Sequence, residues 1–593
     1  MDVIASVRDY VHKMVSEVVG LKALLVDKET SGMVGMVYSR SAILRKEVFL
    51  MDLLSKPDRE KMQHLKCVVF VRPTTENITT LCTELRSPKY GEYHVFFSNI
   101  VSRDFLHSMA LADEEERVKQ VQEFYGDFYA INKDLFTLNI DSCAPLMRGQ
   151  WDQKLFDRMT SGILAVLLAM KRRPVMRYQA KSTLCERLAN NLKDCIKQES
   201  ALFDFRARDN CLLLLLDRRE DPVTPILTQW TYQAMIHELF GITNNRVVIN
   251  ASKKKAGPSS DGEASDNEVV LSGEQDLFFE KNMFSNWGDL CLRLKQFVDE
   301  FKAKSDQTSN IQSIEEMKNF MRDYPKFREM SGNVSKHVNL VGEMSERINE
   351  RDLLNVSVLE QEMACYDEHS KHYEKLVVLL QNPKTKGMDC LRLVLLYALR
   401  YEGNKANALP ELKKMLQAKG VPPEKVLLVD TIIKYGGTKE RQSALFQREG
   451  ITRVMTNIAR GFKDVNNVYT QHEPPMKNIL EKITSSSSII PKNRSTDQFP
   501  FVSEFAPPHG GSQWKPKEVI IFVVGGATYE EALFVNAFNE PPSSNTGANA
   551  TKDVPKGKEK ESNPNQIRYI LGSNCMLNSE TFLREVEDIY RAA

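Results

Sequence analysis

Five charged side chains, residues 217–221, follow directly on the unbroken leucine run 212–216, and among them Asp217, Arg218, Glu220 and Asp221 could do chemistry. Carboxylates at that spacing are the raw material of a metal site or of an acid–base pair. Gly525-Gly526, between a second apolar run and a helical pattern, resembles a phosphate-cradling turn. Taken together they would suit an α/β phosphohydrolase or a nucleotide-binding enzyme using Asp217, Asp221 and the glycine turn. The supporting residues for such chemistry are missing. No histidine, lysine or glycine loop stands at a diagnostic offset from the carboxylates. The glycines lack both G-K-[ST] and G-x-G-x-x-G. His237-Glu238 has no second histidine four residues on, and no G-x-S-x-G elbow occurs. His369 and His372 lie one helical turn apart without a cysteine or carboxylate to complete a metal set, which points to pairing at the surface. A salt-bridged corner explains Asp217, Arg218 and Asp221. A tight turn explains the glycines, and Thr528 with Glu531 forms a capping-box pattern. The expectation is a binding scaffold with no catalytic residues, no metal and no cofactor.

The elements that position these residues are legible. A five-leucine run bounded by charge reads as a strand buried on both faces of a parallel sheet. Asp221-Pro222 and Thr224-Pro225 force a turn. Tyr232, Met235, Ile236 and Leu239 then line one face of a helix that Gly241 ends. The charges therefore stand at the carboxyl end of a core strand, the ligand side of an α/β sheet.

The whole chain, 593 residues with net charge +1, has the length of several domains. Its charge balance gives no field for nucleic acid and no basic stripe for a membrane. Ten cysteines are scattered without a C-x-x-C pair, as in a reduced cytosolic protein. The N-terminus lacks an apolar segment of signal-peptide length, and no apolar run approaches about 20 residues. Residues 1–140 alternate strand and helix patterns, including a predicted helix over 113–125 with Val118, Val121, Phe124 and Phe128 at near-helical spacing, mostly core but able to border a peptide groove. A second α/β pattern spans 140–245 and resumes at 519–524, as if one sheet domain were interrupted by a long insertion. The middle is helical. Within it, Val334, Val338, Val341, Met344 and Ile348 form one apolar stripe, and Tyr324-Pro325 predicts a break between two helices. Residues 251–267, 484–513 and 540–565 have the composition of loops.

Several stretches together resemble the SM (Sec/Munc) family of vesicle-fusion regulators. They are L-L-L-L-L-D-R-R-E-D-P-V-T-P-I-L-T-Q-W-T-Y-Q-A-M-I-H-E-L (212–239), V-I-I-F-V-V-G-G-A-T-Y-E-E-A (519–532), L-R-S-P-K-Y-G-E-Y-H-V-F-F-S-N (85–99), Q-E-F-Y-G-D-F (122–128), Y-P-K-F-R-E-M-S-G-N-V-S-K-H-V (324–338) and N-V-Y-T-Q-H-E-P (467–474). The first two are general to the family; the others look most like a member serving endosomal and trans-Golgi traffic.

The resemblance implies an α/β plus α fold, a three-domain arch of two α/β parallel-sheet domains with a large, mainly helical insertion in the second. On this chain the domains would be 1–139, then 140–245 with 514–593, and 246–513 including a helical hairpin at 311–350. It also implies no enzymatic activity. The implied role is promotion of SNARE assembly by a cytoplasmic monomer, peripheral to Golgi and endosomal membranes through its partners. Those partners would be the syntaxin-type SNARE of the trans-Golgi and endosomes, the vesicle SNARE and the assembled bundle. The syntaxin would bind between domains one and three. Its N-terminal peptide would enter a pocket formed by Val118, Val121, Gln122, Phe124, Ile131 and Phe136. The hairpin, hinged at Pro325, would offer Phe327, Val334 and Val338 to SNARE helices. Asp217, Arg218 and Asp221 match a family motif that is structural.

Overall fold

The computed structural model describes residues 2–147, 151–205, 210–249, 268–309, 314–446, 468–486, 497–503, 505, 514–540 and 566–591. These form two compact units. One comprises Met1–Arg218, Pro475–Ala527 and Glu531–Met576; the other comprises Arg219–Pro474, Thr528–Glu530 and Leu577–Ala593.

The first unit holds two sheets. One is five-stranded and wholly parallel, in the order β2 (Val48–Leu53), β1 (Lys22–Val26), β3 (Met62–Val71), β4 (Tyr90–Phe97), β5 (Val118–Glu123). Its interior strand β1 is buried along its whole length, the expected state of a parallel strand with helices on both faces. Asp27 closes a capping box with Thr30 on helix Lys28–Val37 and also accepts from the Arg72 backbone N–H at 2.7 Å, binding two strand ends together. The helix expected over 113–125 is not formed. Helix Arg103–Ala112 comes first, and Val118–Glu123 then pairs with β4. Spacings of three between Val118, Val121 and Phe124 imitate a helical face. The partner strand, not the local period, decides the outcome for so short a run.

The second sheet runs β6 (Tyr129–Asn132), β7 (Leu135–Thr137), β13 (Arg568–Ser573), β12 (Glu518–Val524), β9 (Cys211–Asp217), β8 (Val175–Tyr178). All neighbours are parallel except β6 and β7. The leucine strand β9 lies in register with β12 from Cys211↔Glu518 to Asp217↔Val524, so the strands on either side of the helical insertion are direct neighbours. Strands β6 and β7, which their place in the chain would group with residues 1–139, are hydrogen-bonded into this sheet through β13. Gly572 makes that junction possible. A Cβ there would stand 2.0 Å from the Phe136 ring, which also meets Phe128 and Phe522.

Part of the presumed loop 484–513 is ordered against this sheet. Residues 498–503 and 505 run along the outer side of β8, with backbone bonds such as Val502 to Met176 at 3.0 Å. Arg177 holds both Asp497 carboxylate oxygens at 2.7 Å and stacks on Phe501. An edge otherwise open to strand addition is thereby covered. Residues 487–496, 504 and 506–513, all of 251–267, and 541–565 lie outside the described residues.

The second unit is mainly helical, with an antiparallel ribbon of β10 (Arg246–Val248) and β11 (Glu268–Val270). Its core is centred on helix Gly387–Arg400, whose residues Asp389 through Leu399 are all buried. Arg392, inside that helix, bonds Glu360 at 2.5 Å, Glu238 at 2.8 Å and Thr228 at 2.5 Å, so both Nη groups of a buried cation meet acceptors. The last helix, Ser579–Tyr590, belongs to this unit and not with the second sheet, joined for example by Lys425 to Glu587 at 2.5 Å. Two expectations about the insertion are corrected. The backbone is helical without interruption over Ile314–Glu350, straight through Pro325, so the hairpin expected at 311–350 is one arm from Ile314 onward. The other arm is helix Trp287–Ser309, joined to it by stacked Phe301 and Phe327 rings at 5.3 Å. A proline removes one backbone donor, and a long helix packed on a neighbour can lose that bond without ending. The buried seam is Val334, His337, Val341, Met344 and Ile348, not the all-apolar stripe through Val338.

Candidate functional site

The charged corner divides between the two units, and each part is engaged within its own. In the first unit, the Ser182 hydroxyl donates to Asp217 at 2.5 Å while capping helix Thr183–Gln198. Arg218 Nη1 pairs with both oxygens of Glu531 at 2.9 and 2.8 Å. Gly525 sits against that arginine: its φ is +94°, and a Cβ there would come 2.9 Å from Arg218 Cβ. In the second unit, Glu220 accepts from the backbone N–H groups of Gln442 and Ser443 and from the Ser443 hydroxyl at 3.0–3.2 Å. Asp221 accepts from the N–H groups of Val223 and Thr224, closing the turn that its neighbouring prolines initiate. Every carboxylate of the motif is thus engaged by donors of the fold. Among the described residues no group of three metal-ligating side chains forms. The histidine pair is also used internally: His369 meets the Tyr397 hydroxyl at 2.7 Å and His372 that of Tyr401 at 2.6 Å. His372 is buried, where surface pairing was expected.

The six expected pocket residues separate. Val118, Val121 and Gln122 lie on β5, the outer strand of the first sheet; Val121 is 40% exposed, while Val118 packs toward the core. Phe124 follows directly but is buried, stacked on Tyr10 at 5.2 Å and tilted on Phe96 at 4.9 Å, with the Lys13 ammonium over its ring. Ile131 and Phe136 are buried in the second sheet. The structure therefore brings together a polar–apolar strand face bordered by the aromatic cluster of Tyr10, Phe124 and Tyr125, without Phe136.

The opposite edge of the same sheet went unread in the sequence. On β2, Phe49, Met51 and Leu53 alternate on the solvent side and are 65%, 38% and 39% exposed. The signal is the run V-F-L-M-D-L. An outer strand with one face in the core should alternate apolar and polar, and this one is apolar on both faces. Arg59 braces its end, donating to the Leu53 and Leu54 carbonyls at 2.7 and 2.6 Å and pairing with buried Glu84 at 2.5 Å.

In the second unit the helix residues also divide. Phe327 stacks on Phe301, Val334 is buried, and Val338 is 42% exposed. Pro325 lies within the helical span, its side chain outside the described residues.

The described residues thus carry exposed apolar faces on a strand and a helix, and a charged corner whose carboxylates are engaged internally. A family model described as the Sec1 family matches residues 22–585. The chain belongs to the Sec1 family. It is similar to the vacuolar protein sorting-associated protein 45 of Rattus norvegicus, 41% identical over 589 residues that cover 99% of this chain and 96% of the relative. The homolog from Arabidopsis thaliana is 41% identical over 600 residues, covering 100% and 98%. Among solved structures, "SM Protein Vps45 in Complex with Qa SNARE Tlg2 (1-310)" superposes with a TM-score of 0.84 at 40% identity, covering 99% of this chain and 98% of that one. The Sec1-family match runs through the leucine strand, the glycine turn and the helical insertion alike. No helix among the described residues is long and apolar enough to cross a membrane.

Proposed function

We propose that this chain is a regulator of SNARE-mediated vesicle fusion in trans-Golgi, endosomal and vacuolar transport. It binds a syntaxin-type Qa SNARE through both its N-terminal peptide and its helical bundle, and it promotes SNARE complex assembly. The observation that carries this reading is the end-to-end similarity to a Vps45 solved in complex with the Qa SNARE Tlg2. We assign it no catalytic step, and a cytoplasmic place at membranes through its partners.

Three surfaces fit the reading. The β5 face around Val121 and Gln122, beside Phe124, suits a short extended peptide with an apolar anchor. The β2 face of Phe49, Met51 and Leu53 suits the apolar side of a SNARE helix. The exposed side of helix Ile314–Glu350 around Val338 suits a second helix. SNARE segments order themselves only on assembly, at a large entropic cost. A rigid surface that holds one helix in register removes part of that cost beforehand. A peptide anchored by a flexible tether raises the local concentration of its own bundle.

Isothermal titration with a Qa SNARE cytoplasmic region, intact and lacking its N-terminal peptide, tests the reading. The expected result is binding of both, weaker without the peptide. No binding of either would reject the function, and equal affinities would reject the β5 pocket.

A further inference from the structure

The seam by which helix Ile314–Glu350 packs in the second unit contains one polar residue. Val334, His337, Val341, Met344 and Ile348 recur at intervals of three and four, and His337 is completely buried among them. Its Nδ1 lies 2.7 Å from the Tyr232 hydroxyl and its Nε2 2.8 Å from Asp276. Tyr232 belongs to helix Tyr232–Phe240. Asp276 caps helix Leu277–Asn282, accepting from the N–H groups of Phe278 and Phe279 at 3.1 Å. Asp276 also pairs with the Lys336 ammonium, one residue before the histidine. A neutral imidazole satisfies this arrangement with a single proton: Nε2–H donates to the carboxylate, and Nδ1 accepts from the phenol.

A second ring proton disrupts this arrangement. It would make Nδ1 a donor, and the Tyr232 hydroxyl would have to turn its own proton away and accept instead. It would also put a cation beside a carboxylate that Lys336 already neutralises, in a pocket walled by Phe278 and Phe279. Burial accordingly pushes His337 below its ordinary value; Asp276 opposes the shift and Lys336 reinforces it. Burial raises the Asp276 carboxyl, but its bonds and charge pairing with His337 and Lys336 outweigh that and hold it at about 2. Among the described residues, Asp276 and Lys336 are the two charged groups that act on the ring, besides the Tyr232 phenol, whose own titration burial raises far above the working range.

A buried polar residue in a helix seam fixes rotation and register more sharply than an apolar one, because only one register satisfies it. We propose that His337 is a positioning residue for the SNARE-binding side of this helix: neutral and bonded at both nitrogens, it sets the rotation that turns Val338 to solvent, and it loosens that hold when the ring takes a proton. The proposal rests on the reading of the Val338 side as a SNARE surface. A histidine disfavoured as the cation in the fold gives its full hold above about 6.5 and loses it as the pH falls below that value.

The test uses the full chain and two variants. His337→Gln keeps a donor within reach of Asp276 but cannot take a proton, and Tyr232→Phe removes one hydroxyl without changing volume. Amide exchange of residues 330–345, corrected for intrinsic rates, is followed from pH 7.5 to 5.5, with the affinity for a Qa SNARE cytoplasmic region measured at the same pH values. In the unaltered chain, protection and affinity should fall together on acidification. In His337→Gln both should be flat. In Tyr232→Phe, protection at pH 7.5 should drop about fivefold, the effect of one buried hydrogen bond. Equal pH dependence with and without His337 overturns the proposal, as does exchange that varies while affinity does not. An unaltered chain that binds no SNARE at any pH rejects the function instead, and the exchange arm still decides whether the histidine holds the helix. Should His337→Gln fail to fold, Tyr232→Phe decides alone: without the phenol donor the folded ring takes a proton more readily, so its further loss of protection between pH 7.5 and 5.5 must be smaller than in the unaltered chain.

Discussion

Arg218 and Glu531 form a buried, two-oxygen ion pair although 313 residues separate them. The pair ties the end of the leucine strand to the start of helix Tyr529–Asn539. Glu531→Gln removes the countercharge and leaves a buried guanidinium behind, which should cost about 3–5 kcal/mol of stability in the first unit. The double change Arg218→Met with Glu531→Leu should recover most of it, since no charge remains to be buried. Urea unfolding of the three chains checks both statements. A single variant as stable as the unaltered chain would mean that the pair contributes nothing.

Gly572→Val should be among the most damaging single changes in the second sheet. The new side chain would enter the space of the Phe136 ring. Overpacking of this kind costs roughly 1–3 kcal/mol or more. Adding Phe136→Ala should restore part of the loss, and the melting temperatures of the single and double variants report it.

Val121→Glu should weaken binding of a Qa SNARE N-terminal peptide roughly tenfold, about 1.4 kcal/mol, and leave the melting temperature unchanged. The residue is exposed on an outer strand, so the fold does not depend on it. Titration calorimetry with the isolated peptide gives the number. Unchanged affinity would move the peptide site away from β5.

Met51→Glu addresses the opposite edge. It should reduce the affinity for the SNARE helical region by a similar factor while sparing the isolated peptide. Loss of both together would indicate a folding defect, which the melting curve would expose.

Acid should loosen the helical unit before it reaches its carboxylates. His372 is buried against Tyr401. Burial lowers its pKa, with Lys375 and Arg400 acting in the same direction and Glu362 and Glu368 opposing. Its contribution to stability is therefore complete above about 6.5 and declines as the pH falls below that. His372→Gln should flatten part of the stability loss between pH 6.5 and 5, measured by urea unfolding at fixed pH.

The leucine strand, its charged corner and the glycine turn were legible because burial on both faces writes a continuous apolar run, and because Asp221-Pro222 is turn chemistry on its own. The docking faces were harder. Val118, Val121 and Phe124 have helical spacing on a strand, and only the pairing of β5 with β4 separates the two. Phe136 was placed with the first sheet because nothing in 135–137 announces a partner at 571–573. Val338 was placed in the seam where His337 belongs, since the two groups that make a buried histidine tolerable, Tyr232 and Asp276, are 105 and 61 residues away.

The adjacency of β9 and β12 also has a consequence in time. A ribosome adding roughly 5–20 residues per second releases Arg218 on the order of tens of seconds before Glu531 exists. Through that interval the leucine strand lacks both the neighbour on one side and the countercharge at its end. The helical unit can gather its own core meanwhile, but the second sheet closes only as synthesis ends. A nascent chain of this protein carries an open strand with five consecutive leucines for most of its translation, which makes it a client for whatever shields such strands in the cell.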